Sequence, residues 1–185
     1  MSEAPAYRLV RPVVFVGMMG SGKTAIGRAL ATRLGVGFVD SDAEIERAAD
    51  RSIAEIFARD GEAFFRDREA EVLRRLLDGH PQVISTGGGA FLAPRNREAI
   101  AAHGLSVWLD AGLGTLWERV RHKDTRPLLR TEDPKATLTA LYQARVPVYA
   151  LAAVRVRIGA TATIEETTDQ VVEILAARDD TLEPL

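Results

Sequence analysis

A glycine-rich segment near the amino terminus contains the residues whose types and spacing point most directly to chemistry. Residues 17–24 read GMMGSGKT and match the pattern G-x-x-x-x-G-K-[ST] in full, between an apolar run and an amphipathic run. Glycine lets backbone N–H groups converge on phosphate oxygens, and a helix that begins here adds free N–H groups and the positive end of its dipole. The sequence therefore predicts a nucleotide-phosphate site, with contacts from Gly20, Ser21, Gly22, Lys23, Thr24 and Ala25.

Four side chains have distinct expected tasks beside these phosphates. We expect the Lys23 ammonium to contact the β and γ phosphates of ATP, and the Thr24 hydroxyl to bind Mg²⁺. Asp40 and Asp42 follow the second predicted strand, at the sheet edge where α/β folds bind ligands. Asp40 can support the Mg²⁺ ion, and Asp42 can accept a hydrogen bond from an acceptor hydroxyl or deprotonate it. The alternative is that these carboxylates only cap a helix.

Two arginines lie on the apolar faces of predicted helices. Arg66 falls on the apolar stripe of its helix, and Arg145 follows Leu141 by four residues. An inward guanidinium is costly unless an anion pairs with it, and its planar fork suits a carboxylate. We therefore expect Arg66 and Arg145 to bind an anionic acceptor. The alternative is a structural ion pair, for example with Glu69, or a side chain that reaches out to solvent.

Three consecutive glycines follow the third predicted strand. Thr86 precedes Gly87, Gly88 and Gly89, which together allow a ligand ring to approach the backbone and leave N–H groups available. We expect this triplet to line the acceptor site. A plain flexible turn is the alternative.

The elements that must position these residues alternate along the chain. Short β-branched runs alternate with longer amphipathic stretches, which predicts βαβ units around a parallel sheet. The predicted strands are 13–16, 37–40, 83–85, 105–109 and 154–158, with helices between them and a frayed acidic tail after Arg178. With the phosphate loop, this order predicts an α/β, three-layer P-loop NTPase fold: a five-stranded parallel sheet flanked by helices, with a mobile lid.

Length and composition narrow the class of protein. The 185 residues predict a single domain, with acceptor-binding helices at about 42–77 and a lid at about 122–135. A formal charge of −2 gives no reason to expect nucleic-acid or membrane binding. The chain has no cysteine, and its three histidines are far apart. A cytoplasmic monomer is the resulting expectation.

Missing motifs narrow the class further. The segment His122-Lys123-Asp124 lacks the asparagine of the N-K-x-D pattern that reads guanine in GTPases, and no LSGGQ-like segment occurs. The small size favours a kinase for a small acceptor over a motor or a transporter.

Taken together, these segments resemble the shikimate kinase family. The resemblance covers most of the chain and keeps the family's order of motifs. GMMGSGKT resembles the phosphate loop, FVDSD the strand-end aspartates and SIAEIFARDGEAFFRDRE the acceptor-binding helices. STGGGA resembles the second nucleotide motif, and TRPLL the lid.

The resemblance implies ATP-dependent phosphorylation of the 3-hydroxyl of shikimate, a step on the chorismate route to aromatic amino acids. It implies that Asp42 holds ring hydroxyls and acts as or assists the base, and that Arg66 and Arg145 clamp the carboxylate. It also implies that Arg126 neutralises charge on the transferred phosphoryl group and that Arg119 stacks on adenine.

One segment departs from the family pattern, and two other functions remain open at this point. The loop after the last strand, residues 159–164, is small and neutral where the family often has basic residues and proline. The alternatives are a gluconate-type sugar-acid kinase and a non-catalytic nucleotide-binding switch module.

Overall fold

A five-stranded parallel sheet forms the centre of the molecule. The computed structural model describes residues 5–123 and 127–185. The strands in chain order are β1 Tyr7–Leu9, β2 Val13–Val16, β3 Phe38–Asp40, β4 Val83–Ser85, β5 Leu105–Ala111, β6 Val154–Ile158 and β7 Leu182–Pro184. The central sheet has the order β3-β4-β2-β5-β6, and its neighbouring strands all run parallel. This sheet confirms the predicted α/β fold class, and the five predicted strands all form within it.

Helices connect and cover these strands. They are α1 Lys23–Leu34, α2 Ser41–Ala49, α3 Ile53–Leu77, α4 Pro94–His103, α5 Leu113–Val120, α6 Pro134–Tyr149 and α7 Ile164–Ala176. Two short 3-10 turns occur at Ala90–Leu92 and Pro127–Leu129. Across the described residues, no helix is both long enough and apolar enough to cross a bilayer.

The register of the central sheet brings the candidate residues to one edge. Val13–Val16 is wholly buried because helices cover both faces of a parallel sheet. Ser85 pairs with Phe15 on one side and with Asp40 on the other. The phosphate loop, the two aspartates and the glycine triplet therefore all begin where these three strands end.

The carboxyl-terminal tail is ordered, so the prediction that it frays is wrong. Strand β7 pairs antiparallel with β1, and Leu9 lies opposite Leu182. Leu182 is only 3% exposed, and Val10 N–H donates to the Thr181 carbonyl at 3.0 Å. Each strand has three residues and their partners are far apart in sequence, so no local pattern reveals this pairing.

Helix α6 is longer than the span of about 136–145 that the apolar pattern of the sequence predicts. Its start is capped by the Asp133 side chain, which accepts a hydrogen bond from the Ala136 N–H at 3.1 Å. It continues through Pro147 and ends at Tyr149, so Tyr149 lies one turn after Arg145 on the same helix. Within the predicted lid, residues 124–126 lie outside the described residues, and Arg126 is one of them.

Candidate active site

The phosphate loop has a backbone that only glycine readily adopts. Gly17, Gly20 and Gly22 have φ values of 145°, 79° and 98°. A Cβ atom at Gly20 would also lie 2.8 Å from Cγ1 of Val120. Gly22 precedes α1 without a side-chain cap, so N–H groups of the first helical turn are left for a ligand.

Two cationic side chains contact the carbonyl groups of this loop. Lys23 Nζ donates to the Gly17 carbonyl at 2.7 Å and to the Met18 carbonyl at 3.0 Å. Arg119 Nη1 donates to the Gly20 carbonyl at 3.0 Å. The loop therefore combines backbone donors with positive side chains, an arrangement suited to phosphate groups.

A cavity of about 580 Å³ opens above the loop. Its lining includes all six predicted phosphate contacts, Asp40, Asp42, Gly87, Gly88 and Arg119. The lining also includes Lys123, Ile158 and residues 162–164, which belong to the loop that departs from the family pattern. Its volume lies in the range of pockets that hold small-molecule ligands.

Asp40 and Asp42 have different surroundings although only one residue separates them. Asp40 Oδ1 caps α2, accepting hydrogen bonds from the N–H groups of Asp42 at 2.9 Å and Ala43 at 3.2 Å. Asp42 does not act as this cap, and its buried Oδ1 has no hydrogen-bond partner within the described residues. The helix-cap alternative therefore holds for Asp40, while the Asp42 carboxylate remains available to a ligand.

Burial raises the pKa of Asp42 to about 6. That value already includes the negative charges of Asp40 and Glu69, which also raise the pKa, and the positive charge of Lys23, which lowers it. A carboxyl group with this pKa exchanges its proton near neutral pH, which suits a general base.

Each glycine of the triplet faces a different candidate acceptor residue. A Cβ atom at Gly87 would lie 2.7 Å from Oδ2 of Asp42. At Gly88 it would lie 3.0 Å from Nη1 of Arg145, and at Gly89 2.6 Å from Nη2 of Arg66. A Cβ atom at Gly87 or Gly89 would force the side chain of Asp42 or Arg66 to move. The triplet is therefore a close-packed contact surface rather than a plain turn.

The two arginines have different neighbours. Arg66 Nη1 donates to both oxygens of Glu69 at 3.0 and 3.2 Å, so the alternative of an ion pair with Glu69 does occur. Glu69 is 1% exposed, and burial raises its pKa against the opposing charge of Arg66. Arg145 has no carboxylate within ion-pair distance in the described parts of the chain. Arg66, Gly89 and Arg145 do not line the 580 Å³ cavity; they adjoin it through the glycine triplet.

The oxygen atoms beside the loop fit a magnesium ion that is bound jointly with phosphates. Thr24, Asp40 and Asp42 all line the cavity and present hard oxygen donors. No group of three or more histidine or acidic side chains in residues 5–123 and 127–185 could hold a metal alone. Mg²⁺ typically needs only one or two protein oxygens in addition to water and phosphate. The donor set is therefore consistent with Mg²⁺.

Comparisons with known proteins agree with this arrangement. A sequence model of the family described as shikimate kinase matches residues 19–176. The chain is 65% identical over 181 residues to a shikimate kinase of Ruegeria pomeroyi, covering 98% of this chain and 93% of the relative. It is 61% identical over 176 residues to a shikimate kinase of Cereibacter sphaeroides, covering 95% and 88%. A solved structure of shikimate kinase from Acinetobacter baumannii in complex with shikimate aligns with a TM-score of 0.86 at 34% identity, covering 92% of this chain and 95% of that one.

Proposed function

Because this chain belongs to the shikimate kinase family, we propose that it transfers the γ-phosphoryl group of ATP to the 3-hydroxyl of shikimate. The products are ADP and shikimate 3-phosphate. The observation that carries this proposal is the contact of three adjacent glycines with Asp42, Arg145 and Arg66, beside the cavity of the phosphate loop. That contact surface combines a base with two guanidinium groups, which suits an alcohol that bears a carboxylate.

The nucleotide end of the reaction uses the phosphate loop. Backbone N–H groups of residues 20–25 bind the phosphates, and the Lys23 ammonium exchanges its loop carbonyls for β and γ oxygens. Thr24, with indirect support from Asp40, would hold Mg²⁺, and the ion would supply positive charge that offsets the charge of the phosphates. Arg119, which donates to the Gly20 carbonyl and lines the cavity, stacks on adenine in this proposal, as the family resemblance implies.

The acceptor end uses Asp42 and the two arginines. Arg66 and Arg145 bind the shikimate carboxylate, and Gly87, Gly88 and Gly89 let the ring lie close to the backbone. The oxygen of the 3-hydroxyl bonds to the γ phosphorus, while the bond from that phosphorus to the bridging oxygen of the β phosphate breaks. Asp42 accepts the proton that the 3-hydroxyl loses. Arg126, outside the described residues, belongs to the proposal as the cation that offsets charge on the transferred phosphoryl group.

A coupled ADP-release assay tests this function. We expect ADP release to depend on shikimate and to be absent with gluconate, the acceptor of the closest rival kinase class. Release with gluconate but not with shikimate would overturn the assignment. Nucleotide binding without turnover on either acceptor would favour the switch-module alternative.

The assembly state and cellular location are part of the same proposal. We expect a monomer of 20.1 kDa, because both ends of the site come from one chain. Light scattering at assay concentrations tests this, and a dimer mass would contradict it. A cytoplasmic location follows from the proposed use of ATP, and fractionation of the producing cells tests it.

A further inference from the structure

Tyr149 is a wholly buried polar side chain beside the glycine triplet. It is 0% exposed and is the largest side chain among those with almost no exposed area in the described residues. Its hydroxyl donates a hydrogen bond of 2.6 Å to the Gly88 carbonyl. Its ring packs near Trp108, with the ring centroids 6.3 Å apart. The ring therefore belongs to the core, while the hydroxyl holds the Gly88 carbonyl from the buried side of the glycine triplet.

The Arg145 guanidinium lies beside the same part of the Gly88 backbone. The two residues are one turn apart on α6, so their side chains share a helix face. Burial raises the pKa of Tyr149, and the positive charge of the neighbouring Arg145 opposes this rise. At Gly88, a Cβ atom would lie 3.0 Å from Arg145 Nη1 and 3.7 Å from the Tyr149 oxygen. Gly88, Arg145 and Tyr149 thus form one small polar cluster, which we call the Tyr149 cluster.

The cluster explains how Arg145 keeps its position without an acidic partner. Arg66 is held by Glu69, whereas Arg145 has no carboxylate within reach in the described residues. A long cationic side chain without a fixed partner samples many rotamers, and ordering it on binding costs free energy. A neutral hydroxyl can orient the guanidinium without satisfying its charge, which leaves that charge available to an anion.

We propose that Tyr149 is a positioning residue that uses its hydroxyl to hold the Arg145 guanidinium and the Gly88 backbone in the arrangement that binds the acceptor carboxylate. This inference rests on the proposed function. Tyr149 is buried behind Gly88 and touches no reacting group, so it acts through Arg145 and Gly88. Its removal should weaken acceptor binding and leave the nucleotide end unchanged.

Tyr149→Phe tests the inference, because it removes the hydroxyl and keeps the ring in the core. We expect KM for shikimate to rise by about 10-fold, the scale of one lost hydrogen bond to a charged group, with KM for ATP unchanged. Tyr142→Phe is the matched control: it lies on the same helix, and its hydroxyl has no hydrogen bond within the described residues. We expect that control to behave as wild type.

A double-mutant cycle separates positioning through Arg145 from a general loss of structure. In an Arg145→Ala background, Tyr149→Phe should raise KM for shikimate by clearly less than it does in the wild type, because only its effect through the Gly88 backbone remains. A reduced folded fraction would lower the apparent kcat but not KM, so partial unfolding does not obscure the result.

The outcomes distinguish this inference from the function on which it rests. Normal wild-type turnover, together with an unchanged KM for shikimate in Tyr149→Phe, would overturn the positioning role alone. Full additivity of the two substitutions would also overturn it. The absence of shikimate-dependent ADP release in the wild type would overturn the proposed function, and the inference with it.

Discussion

Asp42 is the residue whose surroundings differ most from those of an ordinary surface carboxylate. One of its oxygens is buried without a hydrogen-bond partner in the described residues, and its pKa rises to about 6 because of burial. Such a group destabilises the folded chain when it is charged, so its position is better explained by chemistry than by stability. The neighbouring Asp40 instead satisfies two backbone N–H groups.

Asp42→Asn should separate activity from stability. We expect turnover to fall by at least about 100-fold, with ATP affinity retained, because the amide cannot accept the hydroxyl proton. Thermal unfolding without ligands at pH 8 should occur at a higher temperature than for wild type, because the substitution removes a buried charge. Asp179→Asn, which changes an exposed carboxylate near the carboxyl terminus, is the control. Unchanged turnover in Asp42→Asn would remove Asp42 from the chemistry.

The raised pKa also predicts a pH dependence. Below about pH 6 Asp42 is protonated and cannot act as a base, so kcat/KM for shikimate should rise with pH to a plateau above that value. The free energy of unfolding changes in the opposite direction. Because the folded state binds this proton more tightly than the unfolded state, the contribution of Asp42 to the free energy of unfolding falls as pH rises between about 4 and 6. A pH-rate profile that is flat from pH 5 to 8 would contradict the assignment.

At the scale of elements, the turn after β4 links three parts of the chain. Helix α2 carries Asp42 in its first turn, α3 carries Arg66, and α6 carries Arg145. Each of these side chains contacts a different glycine of the triplet. The turn therefore sets the separation of the proposed base from the proposed carboxylate clamp.

Gly89→Ala should disturb that separation without straining the backbone. Gly89 has φ −91°, which alanine adopts freely, but its Cβ would lie 2.6 Å from Arg66 Nη2. We expect KM for shikimate to rise by about 10-fold or more as Arg66 is displaced, with KM for ATP unchanged. Gly114→Ala is the matched control, since nothing lies within 4 Å of its Cβ and alanine favours its helix. An equal effect of both substitutions would count against the contact.

At the scale of the whole molecule, the paired termini lie apart from the candidate site. Strands β1 and β7 pair with each other and bury Leu182 against the core, while neither strand lines the cavity. Arg11 also binds Asp180 at 3.0 Å, which adds an ion pair between the two ends of the chain. This small sheet should therefore affect stability rather than catalysis.

Leu182→Ala should lower stability and leave the kinetics of the folded enzyme unchanged. A buried leucine truncated to alanine costs about 2 kcal/mol or more, which corresponds to a decrease of roughly 4–8 °C in Tm for a chain of this size. Leu185→Ala is the control, because that side chain is 75% exposed. Equal melting temperatures for the two variants would show that β7 does not contribute to the core.

The amino-acid sequence by itself determined the phosphate loop, the five strands of the central sheet and the family resemblance. These features depend on local patterns: glycine at positions with positive φ, a lysine and a threonine at fixed spacing, and apolar runs of strand length. The first turn of α1 follows from the same segment, so both its location and its expected ligand could be inferred without coordinates.

Only the tertiary structure decided which residues meet. In the fold, Asp40 caps a helix and Asp42 has a raised pKa. Each glycine of the triplet lies against one side chain, and Tyr149 binds Gly88. Strand β1 pairs with β7. The physical reason is that burial and contact depend on packing between segments distant in sequence. A local sequence pattern therefore does not predict which distant residues come into contact.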